Sequence, residues 1–144
     1  MPYPYTRQDA VTFVARQVLL DRSAHAAWAV TLDGVSIGGI NIRMHCDHAL
    51  AEMGWSIARA QWGKGFGTGA ALAVRDEAFR LYPDLNKIRA TADARNVASH
   101  RVMEKLGMTR EGVLRQNRIF RGQVADEVWY GILRSEWNHR LVRR

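Results

Sequence analysis

A chain of 144 residues with 47% apolar and 24% charged residues has the size and balance of one globular domain. It lacks the roughly 18 to 20 consecutive apolar residues that cross a bilayer, and its opening, MPYPYTRQDA, lacks the basic-then-apolar order of a secretory signal, so a cytoplasmic protein without membrane association is expected. The formal charge of +7 favours anionic ligands, but the basic residues are scattered without interleaved aromatics, which argues against nucleic acid, and the single Cys46 excludes an internal disulfide.

The first expected element is a helix over residues 7–20, where Phe13, Val14, Val18 and Leu20 recur near helical spacing and Thr6 offers a capping hydroxyl. Strands over 27–32 and 35–42 follow, joined by Asp33-Gly34, a strong hairpin signal. Gly38-Gly39 inside the second strand points to a bulge or a close backbone approach, and residues 45–48 read as a polar loop. Residues 50–57 alternate, placing Glu52 on one face with Leu50, Gly54 and Ser56, and Ala51, Met53, Trp55 and Ile57 on the other.

A glycine-rich turn leads into a helix over 68–82 with Ala71, Leu72, Val74, Ala78, Phe79 and Tyr82 as its apolar stripe. Asp76 and Arg80 form an expected i,i+4 pair there, and Pro83 stops the helix. A strand over 87–92 precedes a helix that Asn96 caps and Gly107 ends, with Val102, Met103 and Leu106 facing inward. A hairpin over 110–120 and 124–133 turns at Arg121-Gly122. Local hairpins mixed with helix crossovers imply an α+β fold, a mixed and mostly antiparallel sheet with flanking helices, in one domain spanning 1–144.

Three glycines, Gly63, Gly65 and Gly67, stand between the alternating strand and the amphipathic helix. Glycine permits positive φ and lets a ligand approach without meeting a β-carbon, while the first helical turn offers unpaired N–H groups and the positive end of the macrodipole. Together these form an anion site at Gly63, Lys64, Gly65, Phe66, Gly67 and Thr68, with Lys64 as an adjacent cation or a solvated side chain. The spacing fits neither the P-loop nor the dinucleotide fingerprint. A strand-to-helix connection made of glycine for packing is the alternative.

The stretch Trp62-Gly63-Lys64-Gly65-Phe66-Gly67-Thr68 resembles the acetyl-CoA signature of the GCN5-related N-acetyltransferases, Arg/Gln-x-x-Gly-x-Gly/Ala. A second block, from Asn96 through Ser99, Val102, Glu104 and Lys105 to Gly107, is similar to that family's Asn-x-x-Ser and Glu-Lys-x-Gly-Phe segment. The ending, Glu111-Gly112 through Trp129-Tyr130-Gly131 to Arg134-Ser135-Glu136-Trp137, resembles the branch that acetylates ribosomal-protein N-termini. Two positions depart from the pattern: Trp62 stands where Arg or Gln is usual, and Met108 replaces an aromatic residue. The family's first strand and helix have no counterpart before Pro2.

The resemblance implies an acyl-CoA N-acyltransferase-like sheet whose central strands splay. Acetyl-CoA is then the acetyl donor, with its pantetheine arm pairing with backbone near Ile57 and Ala58 and meeting Asn96. It further implies direct transfer to a primary amine, on a protein or peptide N-terminus or a small molecule, in a ternary complex. A non-catalytic acetyl-CoA-binding module is the alternative, and a homodimer is left open.

Transfer needs a proton acceptor for the amine and a proton for the departing thiolate. Glu52, mid-strand ahead of the turn, is the candidate base; an exposed carboxylate paired with an arginine such as Arg43 is the structural alternative. Ser99 resembles the serine that serves the leaving thiolate, with a capping-turn role as its alternative, and Tyr130 is a fallback acid. Trp55 and Trp129 are candidates for an acceptor pocket or for the core. His45-Cys46-Asp47-His48 has ligand types but not the spacing of a metal site, so no metal is expected.

Overall fold

The computed structural model describes residues 6–9, 11, 12, 15, 24–45, 47 and 49–142. Residues 7–9, 11, 12 and 15 are helical, and Thr6 caps them: its hydroxyl accepts from the Asp9 N–H, while the Asp9 carboxylate accepts from the Thr6 N–H. The rest of the expected first helix, together with Cys46 and His48, lies outside the described residues.

The described strands are β1 (His25–Leu32), β2 (Val35–His45), β3 (Leu50–Ile57), β4 (Lys87–Asp93), β5 (Thr109–Phe120) and β6 (Gln123–Leu133). The helices are α1 (Phe66–Leu81), α2 (Val97–Lys105) and α3 (Arg134–Val142), with a 3-10 turn at Arg59–Gln61. The strands form one six-stranded sheet in the order β1-β2-β3-β4-β6-β5, antiparallel except between β3 and β4. The mixed, mostly antiparallel sheet expected from the sequence is therefore present.

The β1–β2 and β5–β6 hairpins turn on two consecutive residues with positive φ, Asp33 (50°) with Gly34 (79°) and Arg121 (52°) with Gly122 (76°), the twist that matches paired strands. A bulge at Val30/Thr31 leaves Ile37 without a partner in β1. Beside it, a β-carbon on Gly38 would come 2.2 Å from the Ser56 carbonyl oxygen, so only glycine allows β2 this close to β3.

One sheet face carries the core. Ile40, Ile42, Met53, Ile88, Val128 and Ile132 project toward α1, α2 and α3. Burial of side chains such as Phe79, Leu85, Met103 and Leu106 contributes roughly 1.5–3 kcal/mol each. Tyr130 belongs to this core and is 5% exposed. The alternate residues of the same strands, among them Arg43, Glu52, Arg89 and Trp129, project from the opposite face, where β2, β3, β4 and β6 bring them side by side.

One helical pairing departs from the sequence reading. Arg75 is buried, donating from Nη1 to the Leu106 carbonyl at 2.6 Å and from Nε and Nη2 to Asp76, which also accepts from Trp137 Nε1. Asp76 is thus turned to the core side, and Arg80 pairs with Glu77 instead of Asp76. Helix α2 ends as expected: Gly107 has φ of 78°, with Met108 N–H on the Met103 carbonyl and Gly107 N–H on that of Glu104.

Candidate active site

The central feature is a parting of strands. β3 and β4 pair at only three rungs, Leu50↔Lys87, Ala51↔Ile88 and Glu52↔Arg89, after which each continues without the other. β3 runs on to Ile57 against β2, and β4 runs on to Asp93 against β6, so the gap between them opens toward their C-terminal ends. Glu52 and Arg89 occupy the last rung. From Glu52 to Ile57 the strand rises about 17 Å at ~3.3 Å per residue.

Backbone parity decides which amides face this gap. The Ala58 N–H donates to the Ile37 carbonyl at 2.7 Å, so even-numbered residues of β3 bond toward β2, and Trp55 and Ile57 direct theirs toward the gap, where no strand receives them. Of the two residues expected to offer backbone to a ligand, Ile57 keeps its N–H on the open side. Ala58 does not: its carbonyl also accepts from Gln61.

The glycine turn stands at the mouth of the gap. Gly63 and Gly65 have φ of 74° and 83°, and a β-carbon built on either meets nothing within 4 Å. Their glycine character answers to backbone conformation and leaves open space in front of the turn. Gly67 differs, since its β-carbon would lie 3.3 Å from Ile57 Cγ1, so this glycine seats α1 against the end of β3. Helix α1 starts at Phe66 with Gly65 as its N-cap and no side-chain cap, leaving the N–H groups of Phe66, Gly67 and Thr68 at the positive end of a 16-residue dipole. Lys64 bends to Gln61 Oε1 at 2.9 Å.

Trp62, at the unusual signature position, is 60% exposed, yet its indole N–H donates to the Ile57 carbonyl at 2.7 Å. It ties the turn to the strand end, a role its sequence position does not advertise.

On the β4 side of the mouth, Asn96 caps α2 by accepting from the Ser99 N–H at 3.1 Å, and the Ser99 side chain is half-buried in the first turn. Asp93, at the end of β4, receives Arg95 through Nε and Nη2; these bonds hold its carboxyl down at about 2 against the opposing effect of burial. His100 Nε2 lies 3.1 Å from the Asp93 carbonyl, and its ring is 5.6 Å from that of Tyr130.

At the apex, the Glu52 carboxylate is 40% exposed and pairs with Arg89 at 3.0 Å. Arg43 stands opposite Glu52 in the β2–β3 register, but the arginine that engages it comes from the next strand. The Arg89 guanidinium lies 4.6 Å from the Trp129 ring centroid. Trp129 is therefore a residue of the polar face, while Trp55 packs against the core. The Trp129 indole N–H donates to Glu127, which also accepts from Asn117 and pairs with Arg118. Burial pushes the Glu127 carboxyl up, but hydrogen bonds from Asn117, Thr91 and Trp129 and the charge of Arg118 outweigh it and hold the group below the usual glutamate range. Among the described residues no cluster of three or more His, Cys, Asp or Glu could hold a metal ion, and no helix is long and apolar enough to cross a membrane.

The parted parallel pair thus leaves an open-ended gap with the glycine turn and the start of α1 at its mouth. The family model for the acetyltransferase (GNAT) domain matches residues 1–109. The chain belongs to the GNAT acetyltransferase family. It is 31% identical over 134 residues to the uncharacterized N-acetyltransferase YnaD of Bacillus subtilis, covering 93% of this chain and 78% of that one. It is 34% identical over 87 residues to the putative ribosomal N-acetyltransferase YdaF of the same organism, covering 60% of this chain and 47% of that one. Among solved structures, RimL, a ribosomal alpha-N-protein acetyltransferase in complex with coenzyme A, superposes with a TM-score of 0.81 at 17% identity, over 91% of this chain and 75% of that one. The acetyltransferase thus has the fold that the resemblance implied.

Proposed function

We propose that this acetyltransferase moves the acetyl group of acetyl-CoA directly onto a primary amine in a ternary complex, with the α-amine of a protein or peptide N-terminus as the preferred acceptor class and a small amine as the other. The observation that carries the reading is the parting of β3 and β4 immediately beyond Glu52↔Arg89, with the glycine turn at the open end. The name of YdaF and that of RimL support the N-terminal acceptor class. A cytoplasmic setting accords with a donor of this kind.

In this reading the pyrophosphate lies on the backbone of Gly63, Lys64, Gly65, Phe66, Gly67 and Thr68, and the pantetheine arm enters the gap beside Trp55 and Ile57. Asn96 contacts the arm while keeping its cap on Ser99. Trp62 contributes by fixing the Ile57 carbonyl, so phosphate recognition rests on backbone N–H groups and the start of α1.

The chemistry balances as follows. Glu52, directly or through water, takes a proton from the ammonium of the acceptor; the neutral nitrogen attacks the thioester carbonyl carbon, and its electrons pass to the oxygen. The gap-facing amide of Trp55, about 10 Å along β3 from Glu52 at ~3.3 Å per residue and so within reach of a bridging water, is a donor for that oxygen. Collapse re-forms the carbonyl and breaks the C–S bond; the second proton, shed by the now cationic nitrogen, passes to the departing CoA sulfur, to which the Ser99 hydroxyl donates a hydrogen bond, and the proton held by Glu52 leaves to solvent. The products are the amide and CoA.

The test is calorimetry with acetyl-CoA followed by thiol release on a panel of amines, including peptides with free alanine or serine N-termini and polyamines. Turnover on a peptide amine supports the full reading. Binding without thiol release on any amine supports a non-catalytic acetyl-CoA-binding module instead.

A further inference from the structure

We propose that Glu127 and Trp129 of β6 are positioning residues for acetyl transfer, acting on Glu52 through Arg89. The proposal rests on the reading of Glu52 as the base.

The links form one continuous path across three strands. Glu127 Oε2 receives the Trp129 indole N–H at 3.2 Å, the Trp129 ring carries the Arg89 guanidinium at 4.6 Å, and Arg89 Nη2 holds Glu52 Oε2 at 3.0 Å. Exposure rises along it. The Glu127 side chain is 13% exposed, that of Arg89 25% and that of Glu52 40%. The anchored end is the most buried, and the end at the apex of the gap is the most accessible. A guanidinium held both by a ring face and by a carboxylate loses much of its rotational freedom, so the carboxylate it grips is presented in one orientation.

The backbone of β5 is distorted in a way that serves this path. The β5–β6 register shifts between Leu114 and Arg118, and Gln116 within the shift has φ of 51°, a costly conformation for a residue other than glycine. In a regular strand Asn117 and Arg118 would point to opposite faces. With the bulge, both reach Glu127, through Asn117 Nδ2 at 2.8 Å and Arg118 Nη1 at 3.2 Å. The Gln116 N–H freed by the bulge is taken up by Asp126 Oδ1 at 2.8 Å. The strain and its compensation converge on the carboxylate that sets Trp129.

The test uses the full chain with acetyl-CoA and a peptide amine that the wild-type protein turns over, comparing Trp129→Leu, Trp129→Phe, Arg89→Met, Glu52→Gln and the double variant Trp129→Leu with Arg89→Met. Trp129→Leu is expected to lower kcat on the order of tenfold to a hundredfold, the scale of a misplaced reacting group, with acetyl-CoA affinity unchanged. Trp129→Phe keeps a ring under Arg89 but loses the indole N–H that Glu127 holds, and recovers only part of that loss. The double variant is no slower than Arg89→Met alone, because both changes cut the same path. Wild-type kcat in Trp129→Leu, or losses that multiply in the double variant, overturns the relay. Glu52→Gln separates the two claims: full activity there removes the base itself, whereas an impaired Glu52→Gln beside wild-type kcat in Trp129→Leu removes the relay alone. Should Trp129→Leu not fold, Glu127→Gln carries the same test, with a lowered kcat supporting the relay and wild-type kcat overturning it. Absence of wild-type turnover on every amine overturns both claims.

Discussion

Gly65→Ala isolates the phosphate turn, because a matched control exists in the same chain. Gly65 and Gly122 have φ of 83° and 76°, and a β-carbon on either meets no protein atom within 4 Å. Alanine therefore costs about 1–2 kcal/mol of left-handed strain at both positions, partly offset by the smaller entropy of the unfolded chain. Melting temperatures of the two variants should fall by a similar few degrees. Only Gly65 stands where the pyrophosphate is proposed to lie, and losing one charge-assisted amide contact there costs about 1.5–3 kcal/mol, a weakening of roughly 10-fold to 150-fold. Calorimetry with acetyl-CoA and with acetyl-pantetheine, which lacks the pyrophosphate, reads the difference directly. The expected result is weaker acetyl-CoA binding in Gly65→Ala, unchanged binding in Gly122→Ala, and no effect of either on acetyl-pantetheine. Equal acetyl-CoA affinity in the two variants would refute the reasoning.

Three further outcomes are expected. Glu52→Gln lowers turnover by about 10²- to 10⁴-fold while leaving acetyl-CoA affinity intact, and stopped-flow thiol release at neutral pH checks it against wild-type activity. Asn96→Ala removes the cap on α2 at a cost of about 1 kcal/mol in urea unfolding, and weakens acetyl-CoA binding in the same protein; a stability loss without an affinity loss confines Asn96 to capping. Asp93 has its carboxyl lowered from 3.8 to about 2 by Arg95, so the stability it adds is present above pH 3.8 and disappears as pH falls through 2. The shift corresponds to at most ~2 kcal/mol, which the 57% exposure of Arg95 reduces to about 1 kcal/mol. Asp93→Asn should accordingly unfold at lower urea than wild type at pH 7, with the difference shrinking below pH 3.8 and gone only below pH 2.

Local chemistry was legible where it is dictated by near neighbours in the chain. Asp33-Gly34 and Arg121-Gly122 turn as two-residue positive-φ turns, Gly107 closes α2, and Gly38 marks a close approach, because each depends on backbone conformation within a few residues. Element ends were less legible. β2 continues to His45 because Leu50 pairs with it across the turn, and α1 begins at Phe66 because the left-handed Gly65 serves as its cap.

What could not be read was pairing between strands far apart in sequence. The arginine that engages Glu52 is Arg89, where the sequence offers Arg43 as one example, because β4 lies beside β3 at that rung, and strand adjacency is a property of the whole sheet. The same holds for Trp129 and Glu127, which reach the apex region because β6, not β5, is the inner strand of its hairpin. Trp62 read as a departure from a motif; its bond to Ile57 became visible only once the turn had a shape.

The central claim is acetyl transfer from acetyl-CoA to an amine, and thiol release with mass detection of the acceptor tests it most directly. CoA formation that depends on a free amine is predicted, with the peptide gaining the mass of one acetyl group in place of one hydrogen on its α-amine. Tight acetyl-CoA binding with no amine-dependent thiol release across peptides and small amines would contradict it.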